Sequence, residues 1–133
     1  MALQYSTTVR NAQLDAMETA VGVSAILKIR SGTAPANCGT ADSGTVLATL
    51  NLPSDWMAAA SGGVKGKSGT WSDASADAGG TAAHFRLYAL DGTTCHAQGT
   101  VGTSGTDMIV DNTSFSAGQS FTITQFDITA GNA

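Results

Sequence analysis

Five side chains form the densest chemically versatile group in the sequence: His84, Arg86, Tyr88, His96 and Gln98. Two histidines can begin a metal site, but the spacing supplies no third ligand, so no metal is expected. An arginine beside a tyrosine and a glutamine suits recognition of a sugar or a protein surface, where aromatic and Arg side chains act as anchors. The competing reading is an ordinary wet sheet face. No catalytic residues and no cofactor are expected. The sequence holds no GxSxG, HExxH or CxxC, and Gly99-x-x-Gly102-x-x-Gly105 does not open a helix. Glu18 is the lone glutamate, so paired carboxylates would have to be aspartates, and these sit where turns favour Asp. Asp73 and Asp77 miss the calcium-loop spacing. Cys38 and Cys95 fit no metal-ligand pattern and read either as buried thiols or as a disulfide in an oxidising setting.

The element that must position the five side chains is residues 82–101. Ala83, Phe85, Leu87 and Ala89 alternate with His84, Arg86 and Tyr88. Then Cys95, Ala97, Gly99 and Val101 alternate with Thr94, His96, Gln98 and Thr100. Period two marks half-buried strands, and Asp91-Gly92 marks the turn of a hairpin. A two-residue loop would place polar groups on the apolar face. A three-residue loop, Leu90-Asp91-Gly92, pairs Leu87 with Cys95 and Phe85 with Ala97, with Gly92 in the left-handed conformation. The polar five then share the outward face.

Residues 8–21 read as the one substantial helix, capped by Thr7 or Thr8 and ended by Gly22. Val9, Leu14, Met17 and Val21 are its candidate docking residues, against its own domain or a partner. Residues 1–22 thus form an arm and helix, and 23–133 a β-sandwich domain. Strands follow at 24–30, with Lys28 and Arg30 outward, and at 45–52, separated by a Gly/Pro/Asn loop over 31–44. Ser54 is expected to cap a helical turn at Trp56, with Trp56 closing one end of the core. Further strands fall near 67–72, at 107–111, at Phe115 and at 120–129. In the last, the apolar parity switches after Ile123, which predicts a β-bulge at Thr124-Gln125. Seven to eight short strands with Gly-rich turns predict a mainly β fold, an antiparallel sandwich of jelly-roll type.

At 133 residues the chain suits one domain, with core enough to fold unaided. Charged residues are 12%, about half the usual share, so ion pairs should be few. The net charge of −4, with scattered basic residues, argues against nucleic-acid binding, which needs a basic stripe. No apolar run approaches a membrane span, and the first ten residues lack the apolar core of a secretion signal.

Four stretches carry a family resemblance: GTVLATLNLPSDW (44–56), SGTWSDASADAGGTAAHFR (68–86), GTTCHAQGTVGTSGTDM (92–108) and SFSAGQSFTITQFDITAG (114–131). They resemble the small β-rich structural proteins encoded among the head and tail genes of tailed bacteriophages. The resemblance implies a virion component made in the bacterial host cytoplasm. It implies a capsid decoration or cement protein on the head exterior, with the major capsid protein as partner and a homo-oligomer, a trimer by preference. It brings no catalytic residues. A tail or connector component, or a glycan-binding sandwich, are the alternatives.

Overall fold

The structure, a computed structural model, describes residues 2–133; Met1 lies outside them. Helix α1 runs Thr7–Val21. Its cap is Ser6, one residue earlier than expected but of the same chemistry, whose Oγ accepts from Val9 N at 3.3 Å. Gly22, at φ 94°, ends it. The helix is only weakly amphipathic. Leu14 and Val21 are buried, Met17 packs half-buried on the core, and Val9 stays exposed. Polar contacts complete the docking. Arg10 Nε and Nη2 donate to Ala130 O at 3.2 and 3.0 Å, and Asn11 Oδ1 accepts from Gly63 N at 2.8 Å. Between its own domain and a partner, the helix therefore packs on its own domain. The arm before it is tied to the opposite terminus, with Tyr5 N donating to Asn132 O at 2.6 Å.

Ten short strands follow: β1 Ile26–Arg30, β2 Val46–Asn51, β3 Val64–Gly66, β4 Trp71–Asp73, β5 Gly80–Thr81, β6 His84–Tyr88, β7 Cys95–Gly102, β8 Met108–Val110, β9 Ser114–Phe115 and β10 Phe121–Thr129. The fold is mainly β. Seven strands form a curled sheet in the order β2-β1-β6-β7-β8-β10-β3, β4 pairs with the first half of β10, and β5 pairs with β9. The sheet is mixed rather than antiparallel throughout, because β7 and β8 run parallel. Five residues, 103–107, turn the chain back. Asp107 fixes that return: its Oδ2 accepts from Thr100 N at 2.9 Å and Thr100 Oγ1 at 3.0 Å.

The core follows the period-two expectation. Ala25, Leu27, Ile29, Phe85 and Leu87 are buried along β1 and β6, with Val101, Met108 and Val110 beside them. The parity switch in β10 is a bulge: its register on β8 shifts between Ile123 and Gln125, so that Phe121, Ile123 and Phe126 are all buried. Trp56, Trp71, Phe126 and Phe85 form a chain of rings, with successive centroids 6.1, 5.8 and 5.4 Å apart. Each ring buried this completely contributes about 1.5–3 kcal/mol. The helical turn expected at Ser54 does not form. Met57 instead bridges Lys67 in a ladder contact, while Trp56 Nε1 donates to Gly22 O at 2.9 Å and closes the core beneath α1.

The hairpin needs a register correction. Leu87 pairs with Ala97 and Phe85 with Gly99, two residues from the expected pairing, and a bulge after Leu87 then brings Tyr88 opposite Cys95. An even shift keeps faces intact. The bulge does not, and it moves Cys95 to the Arg86 and Tyr88 side while leaving His96 unpaired and exposed. The turn holds four residues, 90–93, between Ala89 and Thr94, with Gly92 at φ 69° as expected. Gly99 lies over Phe85, where a Cβ would stand 2.8 Å from the ring. That contact favours a glycine opposite Phe85.

Candidate functional site

All five residues of β6 are buried. One face of the strand carries Phe85 and Leu87 into the apolar core. The other carries His84, Arg86 and Tyr88, which are 1%, 1% and 0% exposed. The expected wet outer face is therefore corrected: three of its five members lie inside the protein. Arg30, expected outward on β1, is buried with them at 6%. What covers them is the 31–45 loop, which leaves β1, folds back across this face and re-enters at β2.

The loop has almost no regular structure, so its backbone polar groups need partners elsewhere. The buried side chains supply them. Arg86 Nη2 donates to the carbonyls of Asn37, Cys38 and Thr40 at 3.2, 3.1 and 3.1 Å. Arg30 Nη1 reaches those of Ser43 and Gly44 at 3.5 and 3.4 Å. Gln98 Nε2 donates to Pro35 O at 2.6 Å, and His84 Nδ1 to Gly32 O at 2.9 Å. A carbonyl only accepts, so Nδ1 carries the imidazole proton. The densest polar group in the chain is thus the set of donors that fastens this loop.

Asp42 is the loop's return contact. Its Oδ1 accepts from Arg86 Nη1 and, at 2.7 Å, from the Tyr88 hydroxyl. Its Oδ2 accepts from Arg30 Nη2 at 3.0 Å, and the same Nη2 meets the Tyr88 hydroxyl at 3.2 Å. Lys28 Nζ lies 5.0 Å above the Tyr88 ring and donates to Gly92 O at 3.1 Å. Three cations thus share this face with one carboxylate. Partial burial works against the charge on Asp42, but the hydrogen bonds from Tyr88 and Arg86 and the charges of Arg30 and Arg86 outweigh it and hold its carboxyl below the ordinary value. Burial, and then the Asp42 carboxylate, push the Tyr88 phenol up. For Arg86 the desolvation is overcome by Asp42, and its guanidinium is held more firmly protonated.

Cys95, turned by the bulge, meets Cys38 on the loop with their Sγ atoms 2.6 Å apart. Both residues are half-buried, and both are free cysteines. His96 alone of the five stays exposed and takes no part in this hydrogen bonding.

A second ionic contact joins the helix to β3. Lys65, 1% exposed, places Nζ 2.7 Å from both Asp15 Oδ1 and Glu18 Oε2 and donates to Ala58 O at 2.8 Å. Burial disfavours the ammonium, but the two carboxylates outweigh it and raise its pKa. A cleft of about 390 Å³ opens beside this contact, lined by Glu18, Thr19, Gly22, Val23, Ser54 and Asp55. A groove of about 270 Å³ lies along Phe126–Thr129, facing Ala97 and Asp107. Among the described residues, no three of His, Cys, Asp and Glu gather as a metal site would need, and no helix is long and apolar enough to cross a membrane.

Sequence reasoning missed Asp42, Lys28 and Arg30 as members of the cluster. One signal was present: Asp42 is the only acidic residue from Gly22 to Ser54. It follows a strand with two basic residues on one parity. Comparison of the chain with family models, curated proteins and solved structures finds no match.

Proposed function

We propose that the chain is a non-enzymatic structural protein of a tailed-phage virion, bound to the capsid exterior as a decoration protein that stabilises the head. The resemblance, which covers most of residues 24–131, is the source of this reading. The observation that carries it is the use of the polar side chains: His84, Arg86, Tyr88 and Gln98 serve as internal fasteners that tie the 31–45 loop to the sheet. What remains outside is a charge-poor surface rich in Ser, Thr, Gly and Ala on a tightly tied β fold. Such a surface suits a protein that persists outside a cell in many copies. Binding only the assembled shell, it would stabilise that shell by mass action. The curl of the sheet, which brings β4 and β8 onto one strand, β10, is compatible with a jelly-roll-like sandwich as part of the same proposal. The partner is the major capsid protein, with the chain as a homo-oligomer, a trimer by preference.

Burial of His84, Arg86 and Tyr88 removes support from the glycan-binding alternative. A tail or connector component shares every feature named above and differs in copy number. Quantitative mass spectrometry of purified particles, against the major capsid protein, is the test. A ratio near one per capsid subunit, or a fixed large fraction of it, is expected. Six or twelve copies per particle would move the chain to the tail or connector, and absence from particles would overturn the virion reading.

A further inference from the structure

The 31–45 loop is held down by hydrogen bonds and one carboxylate, and it carries a thiol that rests on a second thiol of the strand beneath. We infer that Cys38 and Cys95 are a covalent modification site, closing into a disulfide that fastens the 31–45 loop over the Arg86 cluster when the protein meets an oxidant of the low-molecular-weight disulfide class.

Three observations carry this. The Sγ atoms stand 2.6 Å apart across 57 residues of sequence, with no rearrangement of the fold needed to bring them together. Cys95 reaches this position only because the hairpin bulges after Leu87; the unbulged register would turn it into the apolar core. The residues on either side of Cys38 are already anchored. Asn37 and Cys38 give their carbonyls to Arg86 Nη2, and Asn37 Oδ1 accepts from Gly39 N at 2.8 Å. The loop thiol is therefore held in place rather than left at a free tip.

The exchange balances without help from elsewhere in the protein. A Cys38 thiolate attacks one sulfur of the small disulfide RSSR, forming a mixed disulfide and expelling RS⁻. The Cys95 sulfur then attacks Cys38 Sγ, forming the intramolecular bond and expelling the second RS⁻. The two thiol protons end on the two expelled thiolates, so two cysteines are oxidised and one RSSR is reduced to two RSH. Burial, and then the neighbouring Cys38, push the Cys95 thiol up to about 11, and Cys95, resting against Cys38 Sγ at 2.6 Å, is placed to resolve the mixed disulfide. The bond does not depend on the virion reading, because any passage from a reducing to an oxidising setting would close it.

The test uses the full chain, purified under reducing conditions and then exposed to glutathione disulfide. The expected result is a mass lower by two hydrogens and a cross-linked peptide pair holding Cys38 and Cys95. Amide exchange over residues 31–45 is expected to slow at least tenfold relative to the reduced protein. Cys95→Ser should accumulate a single glutathione adduct on Cys38, because the resolving thiol is gone. Persistent free thiols, stable glutathione adducts on the unaltered chain, or cysteine-linked dimers would each overturn the inference. A cross-link that leaves exchange over 31–45 unchanged would overturn the fastening role.

Discussion

Asp42 and Arg86, 44 residues apart in sequence, form an ion pair that closes a loop over a strand. The two ends of the pair are unequal. The Arg86 side chain is 1% exposed, while that of Asp42 is 40% exposed. The carboxylate can rehydrate if its partner is lost, but the guanidinium cannot. Asp42 also serves Arg30 and Tyr88, so it is the single negative group among buried donors.

This inequality gives an ordering of two substitutions. Asp42→Asn leaves Arg30 and Arg86 without a counter-charge and should cost about 2–3 kcal/mol, below the range for a fully buried pair because Asp42 is partly solvated. Arg86→Met removes the buried charge and keeps most of the packing, leaving Asp42 with Arg30 and Tyr88. It should cost less, about 1–2 kcal/mol, from the lost donors to the loop carbonyls. Urea denaturation of both variants checks the order. A larger loss for Arg86→Met would contradict this account of the pair.

The acid side of stability should report the same contact. The folded pKa of Asp42 lies below its unfolded value. The unfolded chain therefore binds the proton more readily, and the contribution is complete above the unfolded value and lost as pH falls through the folded one. In water that window lies below about pH 4. Asp15 is lowered as well, by its hydrogen bond with Lys65 first, so the acid limb will not vanish when Asp42 is replaced. The expected outcome is a shallower fall in the urea midpoint for Asp42→Asn than for the unaltered protein. Identical acid limbs would exclude Asp42 as a contributor.

The fold was legible where pattern alone decides. The alternation in Phe85–Leu87 and the parity switch around Thr124 report side-chain direction, which depends on sequence spacing and little else. The site was not legible, for a physical reason. Alternation shows that Arg86 and Tyr88 oppose the apolar core; it does not show whether water or another segment lies against them. The 31–45 loop has no periodicity to reveal where it folds, and only Asp42 marks its partner. The bulge that turns Cys95 was equally hidden. Cys95 and His96 could each stand opposite Tyr88, and alternation by itself does not choose between them; the bulge gives the place to Cys95. The parallel β7–β8 pair escaped because five residues seldom return a chain to run beside itself in the same direction.

The helix should prove inseparable from the sheet. Lys65 and Trp56 are buried beneath it, and Leu14 and Val21 sit in the interface. Leu14→Ala should cost about 2–3 kcal/mol through the cavity it leaves. Deleting residues 2–21 should abolish cooperative unfolding, because it exposes a core tryptophan and strips Lys65 of both carboxylates. A deletion product that melts cooperatively as a monomer would show that α1 is an accessory.

Oxidation should raise stability as well as protect the loop. Joining residues 57 apart restricts the unfolded chain by about 4 kcal/mol in the chain-entropy relation. Any strain introduced at Cys38 lowers the gain, so the urea midpoint of the oxidised protein sets a direct measure. An oxidised form no more stable than the reduced one would mean that closure distorts the loop it fastens.

Two glycines of like conformation should respond differently to alanine. Gly44 and Gly92 both have left-handed backbones, at φ 74° and 69°. An alanine at either place therefore carries the backbone penalty of about 1 kcal/mol. Their surroundings differ. A Cβ at Gly92 meets nothing within 4 Å, whereas one at Gly44 would stand 1.9 Å from Ser31 O. That oxygen belongs to the backbone where the loop departs, and Ser31 N and Oγ already bond to Thr45. Neither side can retreat without opening the seam between the loop's two ends. Gly92→Ala should thus cost about 1 kcal/mol and leave amide exchange over residues 31–45 unchanged. Gly44→Ala should cost more, and should raise exchange through 31–45 while the β6–β7 amides keep their protection. Equal behaviour of the two variants would mean that the seam at Ser31 does not control the loop.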